Sequence, residues 1–269
     1  MRLWSDRNLY QGNKIELSLP LKTEQIEQRS PRIKLRKQAT KGGLMPGHSL
    51  ELPVHLKKRF ITDFTEIEIS GKRMKFLEVQ NLETILPEIV SPAKGNGKDR
   101  PFWVKIWESS IFLAYYLSTL PVNPELRMLE IGAGMGITGI AAASFGHNVT
   151  ITDNNEDALA FAHVNAAANG LEHLAIRFLD WNRPDTEEKW DVIFGSDVVY
   201  AESGFDLLVD FLRRHLKQDG TIYLALSGFI RGTRFFQAMS QYFAMRKKTV
   251  TMRSDEEQFQ IHLYAINFK

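Results

Sequence analysis

The sequence predicts an α/β fold: a mixed, mainly parallel seven-stranded sheet with helices on both faces, plus a small N-terminal β-rich module. Three observations carry this. From residue 127 onward short apolar runs alternate with helical runs, the pattern of parallel strands joined by crossover helices. Between the first run and its helix stands Glu130-Ile131-Gly132-Ala133-Gly134-Met135-Gly136, a strand that breaks into alternating glycines and resumes as a small-residue helix. The last two runs, at 247–253 and 259–268, flank a polar turn at 254–257 and form an antiparallel pair, which makes the sheet mixed.

The first fifty residues are polar and basic, with Arg32, Lys34, Arg36, Lys37 and Lys41 close together, and read as a solvated arm. Residues 61–80 read as a β-hairpin: Phe64, Ile67 and Ile69 alternate with polar residues up to Ser70-Gly71, and Met74, Phe76 and Val79 follow the turn. Residues 91–100 have the composition of a linker. A boundary there separates an arm and β-rich module at 1–98 from a second domain at 99–269. Trp103, Ile106, Trp107, Ile111, Leu113, Ala114 and Leu117 then have helical spacing, ended by Pro121. Strands follow at 127–131, 148–152, 174–179, 190–195 and 220–227. Helices follow at 138–145, 156–169, 205–216 and 231–242, with Gly170 as a C-terminal stop.

Composition bounds the function. The chain has 269 residues, 43% hydrophobic and 25% charged, an ordinary balance for a soluble globular protein. A net charge of +2 argues for neither nucleic acid nor a membrane surface as partner. The absence of cysteine excludes disulfides, thiolate catalysis and cysteine zinc sites, and accords with a cytoplasmic protein. No apolar run approaches the about 20 residues of a membrane helix, and the first residues lack the apolar core of a signal peptide. The seven histidines are scattered without metal-ligand spacing, so no metal site is expected. Ser109, Ser110 and Ser196 lack the Gly-x-Ser-x-Gly setting of a hydrolase nucleophile. Nothing specifies an oligomer, and a monomer is the default.

Glycines let a ligand approach where a Cβ would clash, and the following helix start presents unpaired N–H groups, so the loop at 132–136 reads as a nucleotide-type site. Two cofactors compete. Gly134-x-Gly136-x-x-Gly139, with Asp153 about 20 residues further on, fits the dinucleotide pattern. Three features favour S-adenosylmethionine. Glu130 stands where it would repel a pyrophosphate but receive an amine. Asp180-Trp181 offers a carboxylate and a flat ring for a base. Asp197-Val198-Val199-Tyr200 ends the next strand.

Leu129-Glu130-Ile131-Gly132-Ala133-Gly134-Met135-Gly136, Thr152-Asp153, Leu179-Asp180-Trp181 and Ser196-Asp197-Val198-Val199-Tyr200 occur in this order. They resemble the Rossmann-like class I, or seven-strand, S-adenosylmethionine-dependent methyltransferases. More narrowly they resemble the Asp-x-x-Tyr branch that contains non-histone protein lysine methyltransferases. Phe102-Trp103-Val104-Lys105-Ile106-Trp107-Glu108-Ser109-Ser110 resembles the aromatic segment before the core of that branch, and the resemblance covers residues 101–227. It implies S-adenosyl-L-methionine as cofactor and a nitrogen acceptor, a protein lysine first and a small amine as the alternative.

The resemblance also implies roles. Gly132, Gly134 and Gly136 let the methionine half of the cofactor lie against the backbone, and Glu130 holds its ammonium directly or through water. Asp153, with Asn154 beside it, accepts the ribose hydroxyls; its alternative is a helix N-cap. Asp180 accepts the adenine amino group, and Trp181 stacks or simply packs on the sheet end. Trp107 contacts the cofactor or belongs to the core, and Ser196 stands with the cofactor residues at a strand end. Asp197 orients the acceptor amine and Tyr200 walls its channel; the alternative is that Asp197 caps the following helix. Outside the enzyme classes, the chain reads as a catalytically silent binding module that keeps the cofactor fold.

Overall fold

The computed structural model describes residues 51–90, 101–199, 202–228, 232–253 and 258–269, together with the backbone of two strands at 14–18 and 32–36. The chain begins with β1 (Lys14–Ser18), β2 (Arg32–Arg36), α1 (Val54–Arg59), β3 (Thr62–Ile69), β4 (Lys72–Val79) and α2 (Leu82–Val90). It continues with α3 (Glu108–Ser118), β5 (Arg127–Glu130), α4 (Ile137–Ser144), β6 (Asn148–Asp153), α5 (Glu156–Ala168) and β7 (Ala175–Phe178). It ends with β8 (Trp190–Ser196), α6 (Phe205–His215), β9 (Leu216–Ser227), α7 (Thr233–Met239), β10 (Phe243–Arg253) and β11 (Gln258–Phe268).

These strands form one sheet in the order β4-β3-β2-β1-β10-β11-β9-β8-β5-β6-β7. From β9 to β7 every pairing is parallel, and β11 and β10 join antiparallel, which makes the predicted mixed seven-stranded sheet. β1 to β4 extend it antiparallel from β10. The strand order reverses between β5 and β8, and a crevice opens at the carboxyl ends of strands at such a switch point.

Both faces are covered, and the period of two decides which residue goes where. Met128, Phe194 and Ala225 enter one apolar cluster with Ile111, Ile140 and Phe161 of α3, α4 and α5. Their neighbours Leu129, Ile193 and Leu224 enter the other, with Phe211 of α6 and Phe235 of α7. Ile67, Ile69, Met74 and Phe76 of the hairpin join the first cluster, so the hairpin shares a core with the α3–α5 layer. No helix among the described residues is long and apolar enough to cross a membrane.

Several elements differ from expectation. The run at 103–117 is not one helix. A 3-10 turn spans Phe102–Val104, Lys105 and Trp107 are extended, and α3 starts at Glu108. Apolar spacing cannot distinguish this, because the Trp107 indole N–H is already held by the Phe102 carbonyl at 2.9 Å. α6 stops at His215 and β9 begins directly at Leu216, four residues before Gly220, where a start was expected. Within the polar arm, Lys14-Ile15-Glu16-Leu17-Ser18 and Arg32-Ile33-Lys34-Leu35-Arg36 form β1 and β2; each carries a short apolar alternation. The rest of the basic arm, the linker at 91–100, the turn at 254–257 and the start of the helix expected from 231 lie outside the described residues.

β4 ends the sheet order, so its outer edge needs partners for backbone groups. Helix α5 supplies them with two side-chain amides. The Asn165 carboxamide oxygen accepts the Leu77 N–H at 2.8 Å. Asn169 accepts the Lys75 N–H at 2.9 Å and donates to the Lys75 carbonyl at 2.7 Å. The Asn165 amide nitrogen turns the other way and donates to the Met135 carbonyl in the glycine loop at 2.9 Å. Asn165 is fully buried, so its removal strands a donor and an acceptor. Asn165→Ala should cost about 2–4 kcal/mol in urea denaturation, and Asn169→Ala, nearer the surface, should cost less.

Candidate active site

The loop after β5 is shaped by what surrounds it. Ile131 N–H still bonds across the sheet to Phe194 O at 2.9 Å, and Ala133 N–H bonds to Thr152 O at 3.0 Å. Gly132 and Gly134 have φ of 56° and Gly136 of 80°, the left-handed region that favours glycine. The missing side chains leave room for protein. A Cβ on Gly132 would meet Val198 Cγ1 at 2.8 Å and the Trp181 ring at 3.6 Å, and one on Gly134 would meet Trp103 Cβ at 3.3 Å. Trp103 itself packs against Phe60 and Phe161, which also touch each other.

Gly139 is the tightest position. A Cβ there would lie 2.2 Å from Glu130 Oε2 and 2.6 Å from Ile151 Cγ1. Helix α4 therefore rests directly on the sheet, and Gly139 N–H donates to Glu130 Oε2 at 2.9 Å. Glu130 is buried beneath the first turn of α4, where its carboxylate accepts an N–H that a helix start otherwise leaves unpaired. Burial pushes its carboxyl well above the ordinary range and the Asp153 charge adds to this, while Gly139 N–H and the Thr138 hydroxyl pull it back.

Asp153 ends β6. Its Oδ2 accepts the Gly134 N–H at 2.8 Å and its Oδ1 the Asn155 N–H at 2.9 Å. Burial raises its carboxyl too, opposed by backbone N–H groups that include that of Asn154. The cap of α5 is Asn155, whose side chain accepts the Ala158 N–H at 3.0 Å. Asp153 is thus released from capping, and Asn154 is exposed beside it. Leu179 N–H, donating to Asp153 O at 2.9 Å, brings the chain beyond β7 to the same edge. There Asp180 accepts the Asn182 N–H at 2.9 Å and the Asn182 side-chain amide, both on Oδ1. Trp181, half-buried, covers Gly132.

Ser196 ends β8 and is part-exposed. The next residue, Asp197, has φ of 51°, a left-handed conformation that aspartate tolerates better than most residues. Its N–H donates to Ala225 O at 2.9 Å. Among the described residues its carboxylate bonds to no helix N–H. Oδ2 accepts the hydroxyls of Ser109 and Ser227, each at 2.6 Å, and Oδ1 accepts the Ser227 N–H at 2.6 Å. Burial raises the Asp197 carboxyl and Glu108 raises it further, while the serine donors lower it. Trp107 precedes the same turn of α3, with the Lys105 ammonium 4.6 Å from its ring centre and 3.7 Å from Glu108. Tyr200 lies outside the described residues.

Gly132, Gly134, Asp153, Asp180, Trp181, Ser196 and Asp197 thus gather at the carboxyl ends of β5 to β8, with Glu130 below them. Sequence reasoning gave no role to Ser109, although it ends the aromatic segment noted above, or to Ser227; they lie 88 and 30 residues from Asp197.

A family model described as lysine methyltransferase matches residues 97–242. The chain belongs to the lysine methyltransferase family. The protein N-lysine methyltransferase METTL21A of Xenopus tropicalis is 32% identical over 168 residues, which are 59% of this chain and 76% of the relative. The EEF1A lysine methyltransferase 3 of Mus musculus is 33% identical over 125 residues, 45% of this chain and 54% of the relative. The histidine protein methyltransferase 1 homolog of Dictyostelium discoideum is 32% identical over 135 residues, 48% of this chain and 44% of the relative. Among solved structures, protein PH0793 of Pyrococcus horikoshii shares the fold, with a TM-score of 0.51 and 12% identity over 77% of this chain and 72% of that one. The region matched by the family model holds every residue gathered above and excludes the hairpin.

The buried Glu130 gives a pH-dependent signature. Its carboxyl titrates above 4.5 in the folded protein, so the stability it contributes is full below that value and is lost as pH rises through the folded one. Glu130→Gln keeps an acceptor for Gly139 N–H without the charge. Its stability relative to the parent chain should rise between pH 5 and pH 8 in urea titrations. Gly139→Ala should destabilise by about 1–3 kcal/mol at both pH values, because a Cβ has no room.

Proposed function

We propose that this protein transfers a methyl group from S-adenosylmethionine to a side-chain nitrogen of a protein, with lysine as the acceptor. The observation that carries the reading is electrostatic. Glu130 at the end of β5 and Asp153 at the end of β6 are buried, Asp197 just after β8 is part-buried, and burial raises the carboxyl pKa of all three. Their hydrogen-bond donors are backbone N–H groups and hydroxyls, and among the described residues none of the three meets a lysine, arginine or histidine side chain. At the opposite ends of the strands acids are ion-paired in the ordinary way, as Asp191 is with Lys217 and Glu188 with Arg127. Desolvated acids without basic partners fit a cofactor that carries an ammonium and a sulfonium, and they disfavour a pyrophosphate.

Bound S-adenosylmethionine supplies an electrophilic methyl group on sulfur. The chain's own residues bind and orient. Asp153 has acceptor capacity left for a ribose hydroxyl, and Asp180 has a second oxygen for an adenine amino group. Trp181 adds ring area beside Gly132, and Trp107 closes the site from the start of α3. Glu130 acts from below, by fastening α4 and the loop. A lysine acceptor must be neutral to attack, although its free pKa is about 10.4. Burial beside a cation depresses that value, and Asp197 accepts an N–H of the amine and aims its lone pair. The resemblance adds Tyr200 as the residue that would wall the acceptor channel. Positioning and charge arrangement are the whole of the protein's task in such a displacement.

Relatives named for lysine and for histidine methylation match this chain at similar identity, so the acceptor residue must be read directly. Labelled methyl from S-adenosylmethionine, given to a host-cell extract, should enter one protein band, and peptide mass spectrometry should find it on lysine. Asp197→Asn should lower transfer by about 100-fold while leaving S-adenosylhomocysteine affinity, read by calorimetry, unchanged. Asp153→Ala should lose that affinity. Label only in small molecules would overturn the protein acceptor, and label on histidine would overturn lysine.

A further inference from the structure

We infer that Ser109 and Ser227 are positioning residues for methyl transfer, whose hydroxyls hold the Asp197 carboxylate in one orientation at the acceptor channel. The inference rests on the role of Asp197 proposed above.

The geometry is that of a clamp closed from two sides. Ser109 comes from the first turn of α3 and Ser227 ends β9. Both hydroxyls donate to Asp197 Oδ2 at 2.6 Å, and Ser227 N–H donates to Oδ1 at 2.6 Å. The Asp197 N–H is tied to Ala225 O, so backbone and side chain are held together. A carboxylate accepts about four hydrogen bonds. Among the described residues three are filled, two of them on Oδ2, which leaves one acceptor position on Oδ1. A single fixed lone pair directs one N–H of an incoming amine. An unclamped carboxylate would rotate and use either oxygen.

The neighbouring Ser110 has a different task. Its hydroxyl donates to Trp107 O at 2.6 Å, within its own helix turn. Ser109 has no such local partner; it is completely buried, and its hydroxyl is directed to a residue 88 positions away. The hydroxyls also decide the charge of the site. Glu108, itself beside Lys105, is the charged side chain of α3 that acts on Asp197, and it disfavours a second negative charge; from β9 the contacts are Ser227 and the Ala225 carbonyl. Without the serine donors, burial and Glu108 would both favour a protonated Asp197, which cannot accept from an amine at the same oxygen.

The test uses the full chain, with labelled S-adenosylmethionine and host-cell protein extract as acceptor. Ser109→Ala and Ser227→Ala should each lower the initial rate by about tenfold, with unchanged S-adenosylhomocysteine affinity. Ser109→Thr should restore most of the rate, and Ser110→Ala should transfer like the parent chain. A carbon-13 carboxyl titration, assigned with Asp197→Asn, should show Asp197 titrating at higher pH in both alanine variants. If Ser109→Ala loses its thermal transition, Ser109→Cys, similar in volume but a weak donor, takes its place with the same expectation. Parent-like rates in the serine variants, with Asp197→Asn inactive, would overturn the clamp alone. Reduced rates with an unmoved Asp197 titration would overturn it as well, by assigning the serines a packing role. Full transfer by Asp197→Asn would overturn both the clamp and the role of Asp197.

Discussion

The site depends on how closely α4 can approach the sheet. Gly139 is the point of approach, with no space for even a methyl between the helix and Glu130 or Ile151. That contact sets the height of the α4 N-terminus above β5 and β6, hence the path of the loop from Glu130 to Ile137. It also explains why a buried acid is tolerated in a strand. The Glu130 carboxylate fills the space under the helix start and takes up a backbone donor that water cannot reach. Helix start and acid each need the other, because a buried N–H and a buried carboxyl are both costly when unpaired. The glycine spacing that matches a dinucleotide pattern thus reflects a shared packing demand, a helix close on a strand; the acid beneath it is what differs.

Around this contact the protein separates two kinds of electrostatics along one sheet. At the amino ends of the strands, Asp191 and Glu188 meet a lysine and an arginine near the surface. Such pairs contribute little and are screened by salt. At the carboxyl ends Glu130 and Asp153 are buried and Asp197 part-buried, and among the described residues these three meet neutral donors. Neutral donors steady a carboxylate without cancelling its charge. A cationic ligand entering there gains from charges that folding has already desolvated.

From residue 127 onward the fold was legible because each element carried its own period and its own punctuation. Apolar runs marked the strands, Gly170 stopped α5, and glycines opened α4. Much of the candidate site was legible for the same reason: Asp153, Asp180 and Asp197 directly follow or end strands, so finding the strands finds them. The segment around Trp103 and Trp107 was misread because aromatic spacing at three and four residues suits a helix equally well. What holds it extended is an indole bond to Phe102 O that no periodicity reports. β1 and β2 are five residues each in a polar setting, too short for their alternation to stand out. Glu130 was legible as an acid at the loop but not as one facing inward, since that depends on Gly139 nine residues later. Ser109 was visible within the aromatic segment, but its bond to Asp197, like that of Ser227, was not, because a hydroxyl's partner across the sheet is a property of tertiary structure.

The amides that α5 offers to β4 have a consequence for the chain as it is made. Leu77 and its partner Asn165 are 88 residues apart. At about 5–20 residues per second, the hairpin leaves the ribosome roughly 4–18 s before the helix that completes its edge has been synthesised. Through that interval β4 presents open backbone groups to any other extended chain nearby. Lys72, Arg73 and Lys75 stand along that strand, and cations on an open edge are the ordinary guard against premature pairing. The nascent chain is thus protected first by charge and only later by the two asparagines.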